Sequence, residues 1–167
     1  MPERDKLFGT KLKHKGIFDF KETYRILFEW LVDEGYDVNE KGYKEVVGAG
    51  GAKELEIKWI ALKKISDYFR FMIEIDFHPL GMTDVEVEID GVKQKMQKGL
   101  FEVKAQGILL KDYEERWTGN AFFKFLRSIY DKFIIPNRIN EYEGKLIGEV
   151  DEFVAQAKSF LNLTGKR

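Results

Sequence analysis

The stretch DYFRFMIEIDFHP, residues 67–79, alternates apolar and polar side chains almost without interruption. The apolar set occupies the odd positions Phe69, Phe71, Ile73, Ile75 and Phe77, and the even positions hold Arg70, Met72, Glu74, Asp76 and His78. A period of two is typical of a β-strand with one buried and one solvated face. The stretch therefore predicts a strand that ends at Pro79, because proline cannot donate a hydrogen bond to a central ladder.

Other segments extend this strand into a sheet. Alternation recurs at Leu55–Ala61, Val85–Ile89 and Phe101–Leu109, and Tyr43–Val47 is a candidate short edge strand. Asp90-Gly91 is typical of a two-residue hairpin turn. Four to five strands, each with one apolar and one charged face, predict an antiparallel meander packed on one side only.

Helical patterns flank these strands. Asp19 precedes Glu22 by three residues, as in a capping box, and Gly35 is placed to end a helix over residues 19–34. An apolar stripe runs from Phe122 to Phe133, in a helix predicted to open near Thr118 or Asn120, and another covers residues 139–160. Pro136 either ends the first of these or kinks a continuous helix. We expect an α+β two-layer sandwich, with one sheet face covered by the N-terminal helix and two C-terminal helices.

Composition sets the outer limits on function. The chain has 167 residues, 28 basic and 29 acidic side chains and no cysteine, with a net charge of -1. Lack of cysteine excludes disulfides, thiolate nucleophiles and cysteine-bound metal centres. The balanced charge requires any nucleic-acid partner to bind a local patch. Without a signal sequence or a long apolar run, we expect a soluble cytoplasmic protein with no membrane insertion.

The N-terminal residues differ in character from the rest. Residues 1–16 are polar and basic, and they predict a flexible arm ahead of a single domain at 17–163 and a tail at 164–167. The arm supplies the candidate nucleic-acid contacts Lys11, Lys13, His14 and Lys15. Their ammonium groups would meet phosphates and give salt-dependent binding, although no aromatic residues are interleaved for base stacking.

The polar side of residues 67–79 has two interpretations. Arg70, Glu74, Asp76 and His78 share one side with carboxylates of neighbouring strands, as a metal or acid–base site would require. Basic residues are interspersed among the acidic ones, however, and this pattern favours cross-strand ion pairs on a solvated surface. We therefore predict no catalytic residues, no metal and no cofactor, and keep an enzyme built on Asp76, His78 and Glu86 as a third hypothesis.

Aromatic residues and two glycines raise further possibilities. A pocket between sheet and helices, as in helix-grip ligand binders, would be lined by five candidate residues: Trp59, Phe71, Phe101, Tyr142 and Phe153. The same rings could instead fill a solid core. Gly144 and Gly148 lie in the last predicted helix and cost it about 2 kcal/mol relative to alanine, which suggests close packing against the sheet, another helix or a partner subunit.

Three runs of sequence resemble segments of short hypothetical proteins from archaeal genomes. They are KKISDYFRF (63–71), GILLKDYEERW (107–117) and EYEGKLIGEVDEFVAQAK (141–158), and the resemblance spans most of residues 17–162. It implies an archaeal source. That family has no established activity, so the resemblance implies no function.

The residues together favour a non-catalytic binding or assembly module. It would act through its C-terminal helix, a sheet edge or an apolar pocket, with a protein partner, a second copy of the chain or an apolar small ligand. The alternative is a nucleic-acid or ribosome-associated protein that uses the basic arm.

Overall fold

The computed structural model describes residues 3–66, 68–111, 121–129 and 136–165. The strands are β1 (Glu3–Phe18), β2 (Asp37–Val47), β3 (Lys53–Lys64), β4 (Phe69–Phe77), β5 (Leu80–Ile89) and β6 (Val92–Lys111). The helices are α1 (Phe20–Asp33), α2 (Ala121–Ile129) and α3 (Pro136–Gly165), and a short 3₁₀ turn spans Ala49–Gly51. The predicted α+β class with an antiparallel sheet is confirmed, but the sheet has six strands instead of four to five.

The additional strand is the segment predicted to be a flexible arm. Residues 3–18 form β1, which pairs antiparallel with β6 from Glu3 opposite Lys111 to Phe18 opposite Gln97. Ladder hydrogen bonds with β6 engage the backbone groups on one side of this edge strand, while Leu12 and Phe8 pack against the core. The prediction of a flexible arm is therefore wrong for residues 3–16. The alternation of lysines with Leu12 and His14 was the available signal of a strand.

The sheet has the order β1-β6-β4-β3-β2, and β5 pairs mainly with β6. The first half of β6 faces β5 and its second half faces β4, so β4 and β5 lie along the same side of one long strand. His78 and Pro79 join them: the His78 amide donates to the Glu102 carbonyl at 2.8 Å, and the Leu55 amide donates to the Pro79 carbonyl at 3.0 Å. Asp90 and Gly91 form the predicted turn, both with positive φ.

The N-terminal helix begins and ends as predicted. The Asp19 side chain accepts a hydrogen bond from the Glu22 amide at 3.1 Å and caps the first turn of α1. Gly35 has a φ of +95°, and the Tyr36 amide closes the end of the helix onto the Leu31 carbonyl at 2.9 Å.

The C-terminal helices are described only in part. The helix α2 covers residues 121–129, so Thr118, Asn120 and Phe133 lie outside the described residues. Pro136 is the first residue of α3, a position where its missing N–H costs the helix nothing. Not one helix among the described residues has both the length and the apolar composition required to cross a membrane.

The main core lies between one face of the sheet and the helices α1 and α3. We call this the covered face; its members include Ile57, Trp59, Phe71, Ile75, Phe77, Phe101 and Val103. The helices contribute Leu27 and Leu31 from α1 and Leu146, Val150 and Phe153 from α3. Residues Phe69, Phe71, Ile73, Ile75 and Phe77 are all 2% exposed or less, as the opening stretch predicted.

Close approach of α3 to the sheet depends on a glycine of β6. A Cβ atom at Gly107 would lie 3.0 Å from Val150 Cγ2 and 3.1 Å from Leu146 Cγ. At Gly144 and Gly148, by contrast, a Cβ atom would meet no described atom within 4 Å. The prediction that those two glycines pack closely against the sheet or another helix is therefore wrong for the described part of the chain.

The opposite face, which we call the outer face, is not uniformly charged. Met72, Ile108 and Leu110 are buried there and form a second small cluster, with Ile60 and Leu62 packed against it. The prediction of a sheet packed on one side only is therefore wrong at the end of the sheet where β4 begins and β6 ends. Elsewhere the outer face carries mainly charged and polar side chains, with Ile17, Leu100 and Val46 among them.

Candidate functional site: the outer face of the sheet

The five residues predicted to line an apolar pocket are core residues. Trp59, Phe71, Phe101 and Phe153 are each 1% exposed or less, and Tyr142 is half-buried beside Phe69 at a ring distance of 5.1 Å. The rings contact one another closely; those of Trp59 and Phe77, for example, are 4.5 Å apart. None of the five lines either of the two depressions described for this chain. The alternative of a solid core accounts for them.

The basic residues of β1 share the outer face because of a bulge. Arg4 and Lys6 lie opposite Leu110 and Ile108, and the register then shifts between Lys6 and Phe8. After the shift, Lys11 and Lys13 lie opposite Lys104 and Glu102. A strand normally alternates, so even and odd positions point to opposite faces. The extra residue at the bulge reverses this alternation and places both groups of cations on one face.

The result is a row of five basic side chains, which we call the basic stripe. Its members are Arg4, Lys6, Lys11, Lys13 and Lys15, and all five are exposed. Lys104 and Lys98 of β6, also exposed, lie in the adjacent row.

One carboxylate interrupts this basic surface. Glu102 is only 18% exposed and receives a hydrogen bond from Lys11 at 2.6 Å. That bond, with the charges of Lys11, Lys13 and His78, lowers the pKa of Glu102 below its usual range. Among the described residues, no carboxylate pairs with Lys6, Lys13 or Lys15.

His14 does not belong to the stripe. It lies opposite Phe101 of the covered face, its ring makes an edge contact with Phe18 at 6.2 Å, and its Nε2 is 3.2 Å from the Ile17 carbonyl. The structure thus brings three of the four predicted nucleic-acid contacts together and separates the fourth. Arg4 and Lys6 complete the stripe, although the sequence did not single them out, because the bulge changes their face.

A depression of about 540 Å³ lies beside the stripe. It opens on the outer face, and its charged lining is Lys44, Glu56, Lys58, Asp76, His78, Glu102 and Lys104. This lining holds three lysines and three carboxylates, so the depression has no strong charge of either sign. It marks the boundary between the basic side of the outer face and its acidic side.

The acidic side is centred on His78. Its Nε2 lies 2.8 Å from Glu54 Oε1 and 3.8 Å from Glu56 Oε1, and the three side chains are 33%, 43% and 58% exposed respectively. One ligand atom from each lies within 4.8 Å of the others, so the group could hold a divalent cation. A cross-strand ion pair accounts for the same distances. Glu86 of the enzyme hypothesis lies opposite Lys95 in the register of β5 and β6, on the other side of the sheet by alternation, and does not line the depression.

Comparisons with known proteins identify no relative. No family model, no curated protein and no solved structure matches the chain. The resemblance to hypothetical archaeal proteins stays a prediction.

Proposed function

We propose that the chain is a non-catalytic binding module that acts through the β1 edge of its sheet, and that its ligand is a nucleic acid. The observation that carries the proposal is the basic stripe. Five exposed cations lie on one face of one strand, with two more lysines behind them and a single carboxylate that is already paired. Such a surface attracts phosphates because each neutralised phosphate releases a condensed counterion.

The stripe is ordered before any ligand arrives. Backbone pairing with β6 extends over both groups of cations, from Arg4 opposite Leu110 to Lys15 opposite Leu100. A flexible arm would lose backbone entropy on binding, at about 1–2 kcal/mol per residue. A paired strand has lost that entropy during folding, so more of the electrostatic attraction is expressed as affinity.

The charge on the rest of the outer face restricts where a polyanion can lie. Glu54, Glu56, Glu74 and Asp76 occupy the outer face of β3 and β4, which β6 separates from β1. Lys58 lies among these carboxylates, and Lys64 and Arg70 lie at the far end of the same two strands. These carboxylates would repel phosphates. A nucleic acid is therefore directed along β1 and β6, even though the net charge of the chain is -1.

The test is a salt titration of binding to a labelled composite probe with a duplex half and a single-stranded half. With four phosphate contacts, from the stripe residues other than the paired Lys11, the logarithm of the association constant should fall with the logarithm of salt concentration at a slope of about -3 to -4. Replacing Lys6, Lys13 and Lys15 by Gln should make this slope shallower by about 2 to 3 and weaken binding.

The control keeps the charge change and moves it elsewhere. Lys41, Lys93 and Lys158 are exposed and lie outside the stripe, so their triple replacement by Gln should leave the slope nearly unchanged. Affinity that does not depend on salt, or equal losses in the two triple variants, would contradict the proposal.

Self-association is a second candidate, favoured by the other edge of the sheet. Among the described strands, β2 pairs with β3 alone, and its residues Tyr43, Val46 and Val47 are 57%, 47% and 61% exposed. An exposed apolar edge strand is a template for pairing with another chain. Light scattering should then show a dimer that Val46→Lys converts to a monomer; a monomeric parent chain at high concentration would end this candidate.

A further inference from the structure

We infer that the nucleic acid bound by the basic stripe is a duplex, held through its phosphates across one groove and without selection of base sequence. The inference rests on the proposed function and specifies its ligand. It follows from the spacing of the cations, from the chemistry of the side chains around them and from the charge density of the two forms of nucleic acid.

The stripe consists of two groups separated by a gap. Arg4 and Lys6 form one group, Lys11, Lys13 and Lys15 form the other, and the bulge and Gly9 lie between them. Lys6 and Lys11 lie opposite Ile108 and Lys104, which are four residues apart on β6, so at a rise of about 3.3 Å per residue the two lysines are about 13 Å apart along the strand. The major groove of B-DNA is about 12 Å wide, so flexible lysines at this separation can reach phosphates on both of its sides.

The surface offers little for recognition of single strands. Proteins that bind single strands stack bases on exposed aromatic rings, at about 1–3 kcal/mol per base. The outer-face positions of β1 and the part of β6 paired with it carry aliphatic, charged, polar or small side chains, the aliphatic ones being Ile17, Leu100, Ile108 and Leu110, whereas the aromatic residues Phe8, Phe18 and Phe101 belong to the covered face. Along these two strands, the structure places no aromatic ring beside the stripe, and the depression next to it adds one exposed ring among the described residues, Tyr43 of β2.

Recognition of base edges is equally limited. A side chain that identifies a base pair enters a groove from a helix or a ribbon that fits inside it. The stripe is instead one row on the face of a six-stranded sheet, and lysine acts on phosphate as a point charge. Contacts of this kind position a protein on the duplex but carry no sequence information.

Charge density favours the duplex as well. A duplex presents one charge per about 1.7 Å of its axis, against about 3.4 Å for each strand. Each neutralised phosphate contributes about 0.9 to the salt slope on B-DNA and about 0.7 on a single strand. A fixed row of cations therefore meets more phosphates, and gains more from each, on a duplex.

The experiment compares the two halves of the composite probe as separate labelled molecules of about 20 base pairs or nucleotides, which is about two helical turns for the duplex. The full chain should bind the duplex at least about ten-fold more tightly than the single strand near 100 mM salt, because more counterions are released. Exchanging A·T for G·C pairs throughout the duplex should change affinity by less than about three-fold, since phosphate contacts do not distinguish base pairs.

Two double variants test the two groups of cations separately. Arg4→Gln with Lys6→Gln, and separately Lys13→Gln with Lys15→Gln, should each reduce the slope on the duplex by about 2. If the single strand binds as tightly as the duplex, or if base composition changes affinity by more than about ten-fold, the duplex inference is overturned while the proposed function stands. If neither probe binds, both fail.

Discussion

Gly107 of β6 lies directly beneath Val150 of α3, and the absence of a side chain at Gly107 lets the helix rest on the sheet. A Cβ atom at position 107 would come within 3.0 Å of Val150 Cγ2. Val150 is fully buried, and so is its neighbour Leu146 in the same row of α3. The contact therefore determines the distance between α3 and β6, the strand that contributes side chains to both the core and the outer face.

Replacing Gly107 with Ala should destabilise the protein. The added methyl group must displace Val150 or Leu146, and overpacking of this kind costs about 1–3 kcal/mol. Urea denaturation should show the loss as a lower midpoint at an unchanged slope. Unchanged or increased stability would mean that α3 moves away from the sheet at negligible cost.

Gly144→Ala should have the opposite effect and serves as the matched control. Position 144 lies inside α3 with open space around its Cα, so the substitution adds helix propensity without a clash. We expect a gain of about 1 kcal/mol in the free energy of unfolding. A loss in urea denaturation would instead reveal a close contact at this face of α3, such as a partner subunit.

Tyr24 should make stability depend on pH in the alkaline range. Its hydroxyl donates to Glu40 Oε1 and accepts from Trp59 Nε1, both at 2.9 Å. Burial, with a smaller contribution from the bond to Glu40, raises the pKa of Tyr24 to about 12. An unfolded tyrosine has a pKa of about 10, so the folded state holds its proton more tightly and the contribution of Tyr24 to stability is complete below about pH 10. It is lost as the pH rises from about 10 to about 12.

Tyr24→Phe tests this dependence. Removing the hydroxyl leaves the buried Trp59 Nε1–H without its acceptor and should cost about 1–3 kcal/mol at neutral pH. The variant should then lose less stability than the parent between about pH 10 and 12, measured by urea denaturation at each pH. Tyr43→Phe, at an exposed position, is the control. Parallel pH profiles for the parent and Tyr24→Phe would refute the assignment.

Lys11→Gln should raise the pKa of Glu102. The hydrogen bond from Lys11 is the largest cause of the lowered pKa, and its loss returns the carboxyl towards the usual value for glutamate. Carbon-detected NMR titration of the Glu102 side chain measures the change directly. Lys15→Gln removes the same charge from the same strand without touching Glu102, so it should have a much smaller effect. Equal changes in the pKa of Glu102 in both variants would indicate that it responds to the overall positive charge of the strand instead of to its hydrogen bond with Lys11.

Local patterns in the chain were sufficient for individual elements. The alternation at residues 69–77 places five apolar side chains on one face, Asp19 and Gly35 delimit α1, and Asp90-Gly91 forms a hairpin. Each of these features depends on residues close together in sequence. The strand follows from a period of two, the helix start from an unpaired backbone amide that Asp19 can cap, and the hairpin from two residues that tolerate a positive φ. Each of these causes can be identified from a short segment.

Only the tertiary structure determined what those elements do together. Residues 3–18 form a strand because β6 lies beside them, and their lysines share one face because the pairing slips by one residue between Lys6 and Phe8. Likewise, Gly107 matters because α3 crosses above it. Register, bulges and helix contacts join residues that are distant in the chain, and the free energy that selects them comes from burial of the whole core. The sequence alone therefore determined the elements and the apolar face, whereas the pairing of distant strands determined the basic stripe.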